Sequence, residues 1–251
     1  MHGFLRFFVY LHLLLLPFSS MAEDSPKIVF RHQINQDDIL KKQKEYRNAL
    51  ERLDAARLAF ARQWNAANRS GKKGIREKAR QELFTALLHD IFPAWYGTTW
   101  DFNGITETPG HGKIACGYFV TTCLRDAGVR LQRIKLAQQA SQRIIETLAP
   151  ADSKKILYGK PISEVAEYIQ SQGTGIYIVG LDTHTGFVVN DGDSLAFIHS
   201  SYYRPPFSVT AEPIEGQNPL ADSKYRVFGK ILDDIMIEKW ITEGQYILKP
   251  R

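Results

Sequence analysis

Apolar residues recur at three-, four- and seven-residue spacing through Tyr46, Leu50, Leu53, Phe60 and Trp64. That stripe predicts a long amphipathic helix over residues 35–68. Asn35, followed three residues later by Asp38, marks its start. The run NRSGKKG, Asn68 to Gly74, reads as a turn. A second helix is predicted over 75–91, with Ala79, Leu83, Leu87 and Ile91 on one face. Pro93, which lacks an amide hydrogen and crowds the preceding turn, is expected to end it. The two helices read as an antiparallel hairpin. From Trp95 to Lys113 the chain is rich in Gly, Thr and aromatics without a period, as in a loop. A helix follows from Cys116 to Ala127, stopped by Gly128, with further helices expected around 132–148 and 161–171.

The period then changes. Gly175 to Leu181, His184 to Asn190 and Ser194 to Ser200 read as successive strands. Asp182–Thr183 and Asp191–Gly192–Asp193 mark the tight turns between them. A further strand near 225–231 and a helix near 232–241 close the pattern. Helices followed by an antiparallel meander predict an α+β fold.

The N-terminus changes the picture of where the chain works. Arg6 precedes an apolar run from Phe7 to Leu16, which Pro17 to Ser19 break; Ser20 and Ala22 are the small residues of a cleavage site. The run is shorter than the roughly 20 residues that span a bilayer. Residues 1–22 therefore read as a signal peptide cleaved near Ala22–Glu23, giving a periplasmic or secreted protein. No cysteine sits at the junction, so no stable membrane anchor is expected. Residues 23–93 form the expected helical hairpin arm and 94–251 the main domain.

Charge is unevenly placed. Residues 23–80 hold 15 Lys and Arg against 8 Asp and Glu, while 81–251 hold 16 against 19. A basic arm favours polyanions. Export argues against nucleic acid and leaves phospholipid head groups or an anionic wall polymer as partners for the arm.

An exported pair of cysteines would ordinarily be a disulfide. Cys116 and Cys123, however, lie seven residues apart on one predicted helix, about 10.5 Å along its axis. A disulfide needs Cα atoms within about 7 Å, so these thiols are free for other uses. Cys116 stands at a helix start, where unsatisfied backbone amides favour a thiolate and can later hold an oxyanion. His184 begins one strand and His199 ends the next, so a hairpin brings both imidazoles to one place. Cys116 then reads as nucleophile, His184 as base and His199 as the group that orients it.

That order resembles the NlpC family of cell-wall cysteine peptidases, a branch of the papain-like fold. Gly97-Thr98-Thr99-Trp100-Asp101-Phe102-Asn103-Gly104 is similar to the family's Gly-rich loop. Cys116-Gly117-Tyr118-Phe119-Val120 is similar to its nucleophile segment, His184-Thr185-Gly186-Phe187-Val188 to its base strand, and Phe197-Ile198-His199-Ser200-Ser201 to the strand of the third residue. The resemblance covers about residues 95–201. It departs at Ala115, where the family has Asp; at Gly117, where it has Ser; in a loop-to-cysteine spacing about four residues longer; and at Trp100, where it has a substrate-contacting Tyr.

What the resemblance implies is a nucleophile helix packed on an antiparallel sheet, and hydrolysis of an amide in peptidoglycan stem peptides through a thioester. Backbone amides of Cys116 and Gly117 would hold the oxyanion, and Trp95, Tyr96, Trp100 and Tyr202 would line the substrate groove. No cofactor is expected. Zinc ligation by Cys116, His184, His199 and His111 has no supporting spacing, so no metal is expected either. Two other readings stay open: a catalytically silent papain-like module that binds a partner, and an amidase acting on a protein or lipid amide outside the wall.

Overall fold

The computed structural model describes residues 26–248. The expected signal peptide and its cleavage junction lie outside the described residues. The chain runs through α1 (Gln36–Ala66), α2 (Arg69–Ala86), a π turn (Leu87–Ile91), α3 (Phe92–Trp95), β1 (Thr99–Trp100), β2 (Lys113–Ile114) and α4 (Cys116–Asp126). It continues through α5 (Arg133–Ala137), α6 (Ser141–Leu148), β3 (Lys155–Tyr158), α7 (Ile162–Ser171), β4 (Gly175–Leu181), β5 (Thr185–Asn190) and β6 (Leu195–Ser200). The last elements are β7 (Val209–Pro213), α8 (Pro219–Asp222), β8 (Tyr225–Lys230) and α9 (Asp234–Thr242). The fold is α+β. Its centre is a six-stranded antiparallel sheet in the order β3-β8-β4-β5-β6-β7.

The alternation along the central strands sorts side chains onto two faces. Ile176, Ile178, Phe187, Val189, Ala196, Ile198 and Val227 join one core with α4, α6 and the helical hairpin. Tyr177, Val179, Val188, Phe197 and Phe228 join a second core under Val165 and Ile169 of α7. Both central faces are therefore dry. Leu53 and Trp64 of α1 and Leu83 of α2 share the first core with Phe119, Phe187 and Trp240, so the hairpin packs against the body of the protein. Among the described residues no helix is long and apolar enough to cross a membrane.

Several predicted boundaries change. The turn expected over 68–74 is confined to Ala67–Asn68, because the Asn68 side chain accepts from the Gly71 amide at 2.9 Å and starts α2 at once. That cap, worth about 1 kcal/mol, offsets much of the helix cost of Gly71 and Gly74. Pro93 does not end the helical run: the π turn precedes it, and Lys42 Nζ of α1 donates to the His89 carbonyl, which a proline amide cannot reach. The helix expected over 132–148 is two, α5 and α6. The break lets α5 cross the start of α4 and α6 lie against the sheet, where Gly180 and Gly229 leave room for Ser141 and Ile145. Strands β3 and β7 lie where the sequence predicted no element, and the short parallel pair β1–β2 lies within and at the end of the segment predicted as a loop. The helix near 232–241 starts at Asp234, capped by Asp233, whose carboxylate accepts from the Met236 amide at 3.0 Å.

Candidate active site

The candidate site lies where the start of α4 meets the entry to β5. The two ends of the segment 104–115 are held against each other and against the sheet, while most of the loop between them is exposed. The Ala115 amide donates to Gly104 O at 2.8 Å, and Ser200 Oγ donates to Ile114 O at 2.7 Å. Ala115 is extended, and α4 begins at Cys116 with no side-chain cap. The first amides of the helix are thereby left for other acceptors. Gly117 follows because nothing larger fits: a Cβ there would stand 2.4 Å from the carbonyl oxygen of Ala137.

Cys116 is half-buried and Cys123 fully buried, and both are free thiols. Burial pushes the Cys116 thiol above its ordinary value, opposed by the backbone amides of Thr185, Gly117 and Cys116 that face the sulfur. Burial pushes Cys123 up further, and Asp126 adds to it. The Thr185 amide places the sulfur of Cys116 beside the residue next to His184.

The Leu181 amide donates to His184 O at 2.8 Å and closes the tight turn Asp182–Thr183, as expected from the sequence. This fixes His184 at the mouth of β5. Two positions on, Gly186 lies across from His199, and a Cβ at Gly186 would stand 2.8 Å from the Cβ of His199. With that Cβ missing, the two imidazoles meet diagonally on one face of the sheet. His184 Nε2 and His199 Nδ1 share a hydrogen bond of 2.8 Å, with the rings nearly perpendicular at 82°. His199 is fully buried, and Phe197 stacks on it at 4.0 Å. Nδ1 of His184 is buried and has no hydrogen-bond partner. Burial holds both rings neutral, His199 with its pKa lowered to about 3 and His184 well below the usual histidine range, where His199 contributes as well.

A fourth member of the group was not foreseen. Glu212 on β7 places Oε1 3.0 Å from His199 Nε2. Its other oxygen faces Arg204 at 3.4 Å. Burial raises the Glu212 carboxyl above its usual range, and Arg204 opposes that shift. The signal for it was present: buried Val209 and Ala211 alternate with Thr210 and Glu212, the period of a strand.

Of the four aromatic residues expected to contact substrate, two border the site. The Tyr202 ring meets His184 edge-on at 5.0 Å, its hydroxyl lies 3.2 Å from Thr183 Oγ1, and Trp100 packs on Tyr202 at 5.7 Å. Trp100 also lines an adjacent groove of about 910 Å³ with Arg31, Arg204, Phe207 and Glu212. Trp95 and Tyr96 are different: both are buried and present no surface to a ligand. Trp95 Nε1 donates to Tyr46 OH at 3.0 Å, which hydrogen-bonds Asp126, and Tyr96 OH donates to Val29 O at 2.7 Å. Their polar tips are satisfied inside the protein, which corrects the groove assignment to structural support.

Among the described residues no group of three or more His, Cys, Asp or Glu side chains could hold a metal ion. Compared with known proteins, the chain matches no family model, no curated protein and no solved structure.

Proposed function

We propose that this chain is an exported cysteine hydrolase of papain-like, NlpC-type architecture that cleaves an amide bond in peptidoglycan stem peptides. The observation that carries the reading is the pair His184–His199, hydrogen-bonded at 2.8 Å, with His184 Nδ1 buried and unpartnered one residue from the amide that faces the Cys116 sulfur. A buried ring nitrogen without a partner is costly in a purely structural role. It suits a base that takes a proton from a neighbouring thiol. The helix-start cysteine packed on an antiparallel sheet, and the sequence resemblance over residues 95–201, support the same reading.

The resting site holds a neutral thiol facing the Thr185 amide and, on the preceding residue, the neutral imidazole of His184. On substrate binding, the Cys116 proton passes to His184 Nδ1 as the sulfur attacks the amide carbonyl. The amides of Cys116 and Gly117 stabilise the oxyanion. Collapse breaks the C–N bond, and His184 returns its proton to the departing amine, leaving a thioester on Cys116. His184 then takes a proton from water as its oxygen attacks the thioester. The C–S bond breaks, the carboxylic acid leaves, and His184 passes its proton to the departing sulfur, which restores the thiol.

The mature protein incubated with purified peptidoglycan fragments, with products resolved by mass spectrometry, tests this directly. Cleavage at a stem-peptide amide that disappears in Cys116→Ala is the expected result. Intact fragments with a reactive Cys116 would redirect the nucleophile to a protein or lipid amide. The raised pKa of Cys116 favours one further reading, a silent module that binds wall peptide or a partner. Under that reading neither cleavage nor selective labelling of Cys116 occurs.

A further inference from the structure

The hydrogen-bonded chain His184–His199–Glu212 has a direction, and the direction decides whether His184 can act as a base at all. A neutral imidazole carries one N–H and one lone pair. Between two neutral rings, one must donate and the other accept. The 2.8 Å contact between His184 Nε2 and His199 Nδ1 is compatible with either polarity. In one polarity His184 keeps its proton on Nε2 and Nδ1 is bare. In the other His184 is protonated at Nδ1 and cannot accept the proton of a thiol.

We propose that Glu212 is a positioning residue that fixes this polarity, holding the proton of each imidazole on Nε2 so that the unpaired Nδ1 of His184 is a lone pair. A carboxylate only accepts. With Oε1 3.0 Å away, His199 must present Nε2–H to it. Neutral His199 then has a bare Nδ1, which obliges His184 to donate through Nε2–H. The lone pair of His184 is left on Nδ1, the one ring nitrogen of the pair without a partner. The reverse arrangement would set a lone pair of His199 against a carboxylate in a buried site.

The surroundings fit a device rather than a chance contact. Glu212 sits on β7 directly opposite Phe197, and His199 is opposite Thr210, so carboxylate and imidazole are diagonal neighbours on one face. Phe197 stacks on His199 with only 15° between the ring planes, which fixes the plane in which Nε2 can point. Arg204, from the segment between β6 and β7, faces the second carboxylate oxygen and favours the ionised, accepting form. The purpose assigned to this polarity rests on the hydrolase reading above, whereas the polarity itself does not.

The test is the pattern of long-range ¹H–¹⁵N couplings within the imidazole rings of the ¹⁵N-labelled mature protein near neutral pH. Expected are protonated Nε2 and bare Nδ1 for both His184 and His199. A proton on Nδ1 of either ring overturns the proposal, with no variant required. In Glu212→Leu, checked for folding by circular dichroism, the single-tautomer pattern should be lost and Cys116 alkylation should slow about 10-fold. Glu212→Asp should recover part of both. Unchanged tautomers in a folded Glu212→Leu would also overturn it. Should the leucine variant not fold, the wild-type spectrum decides alone. A protein with the expected tautomers that cleaves no wall fragment keeps the Glu212 assignment and loses the peptidoglycan substrate, so the two failures are distinguishable.

Discussion

Gly117, the second residue of α4, and Ala137, the last residue of α5, approach so closely that a Cβ on Gly117 would stand 2.4 Å from the Ala137 carbonyl oxygen. The obstacle is backbone, not the end of a flexible side chain, so it cannot swing aside. In the interior of an ordinary helix a glycine costs about 1 kcal/mol relative to alanine, and replacing it would help. Here the sign reverses. Gly117→Ser, the residue of the resembling family, should destabilise by about 1–3 kcal/mol through overpacking. It should also displace the Gly117 amide that faces the Cys116 sulfur. Denaturant midpoints of the two proteins measure the first effect, and an unchanged midpoint would refute the crossing of α4 by α5.

Gly186 holds the matching position in the sheet. Besides the Cβ of His199, an added Cβ would meet Ile198 O at 2.8 Å. Gly186→Ala should therefore push His199 away from His184, and also press on Phe197 of the second core, whose Cε2 would stand 2.8 Å from the added Cβ. The expected signature is a loss of Cys116 reactivity of about 10-fold or more, at a cost in stability of about 1–3 kcal/mol. Iodoacetamide labelling beside a thermal melt separates the two readouts. Wild-type labelling kinetics in a folded Gly186→Ala protein would show that the histidine pair has no bearing on the thiol.

These two glycines mark the boundary of what the pattern of residues reveals. The central strands β4 to β6, helix α4 and the meeting of His184 with His199 are legible because each depends on local chemistry: turn residues, alternation, a helix start followed by Gly128. What stays hidden depends on contacts between distant segments. No sequence rule announces that Lys42 will satisfy the carbonyl orphaned by Pro93, and so carry the helix past a proline. Gly180 and Gly229 read as weak points in strands, yet they are where α6 reaches the sheet. Glu212 lies on a five-residue strand whose alternation is visible in the letters, but whose partner is settled only by sheet register.

The aromatic residues before and after the Gly-rich loop should behave as opposites. Tyr46 OH bridges Trp95 Nε1 and Asp126 Oδ2, each at 3.0 Å, in the interior. Tyr46→Phe leaves both partners without it and should cost about 1–3 kcal/mol, with turnover of the folded protein unchanged. Tyr202→Ala removes a half-buried ring that touches His184 and should lower activity about 10-fold with a smaller loss of stability. Melting temperatures and rates measured on both variants decide it. Equal losses of activity would mean that Trp95 and Tyr46 reach the site after all.

Stability should fall as the medium is acidified below the ordinary histidine range, and the buried imidazoles set the sign. His199 has its folded pKa depressed to about 3, and His184 is depressed well below the usual value, mainly by burial. Unfolded, both titrate near 6.5. Above that value neither state binds the extra protons and the full contribution of the neutral rings is present. Between the unfolded value and the folded ones the unfolded chain binds more protons, so stability declines as pH falls. The slope approaches about 1.4 kcal/mol per pH unit for each ring. Glu212 and Asp126 act in the opposite sense: their raised folded values stabilise at low pH and are lost as pH rises through them. They titrate from the carboxylate range upward, so the histidines govern the upper part of the acid limb. Thermal melts from pH 8 down to 5 should show a plateau followed by this decline, and His199→Phe should flatten it. A wild-type profile that stays level through pH 5 would mean that the two rings are not held neutral in the folded protein.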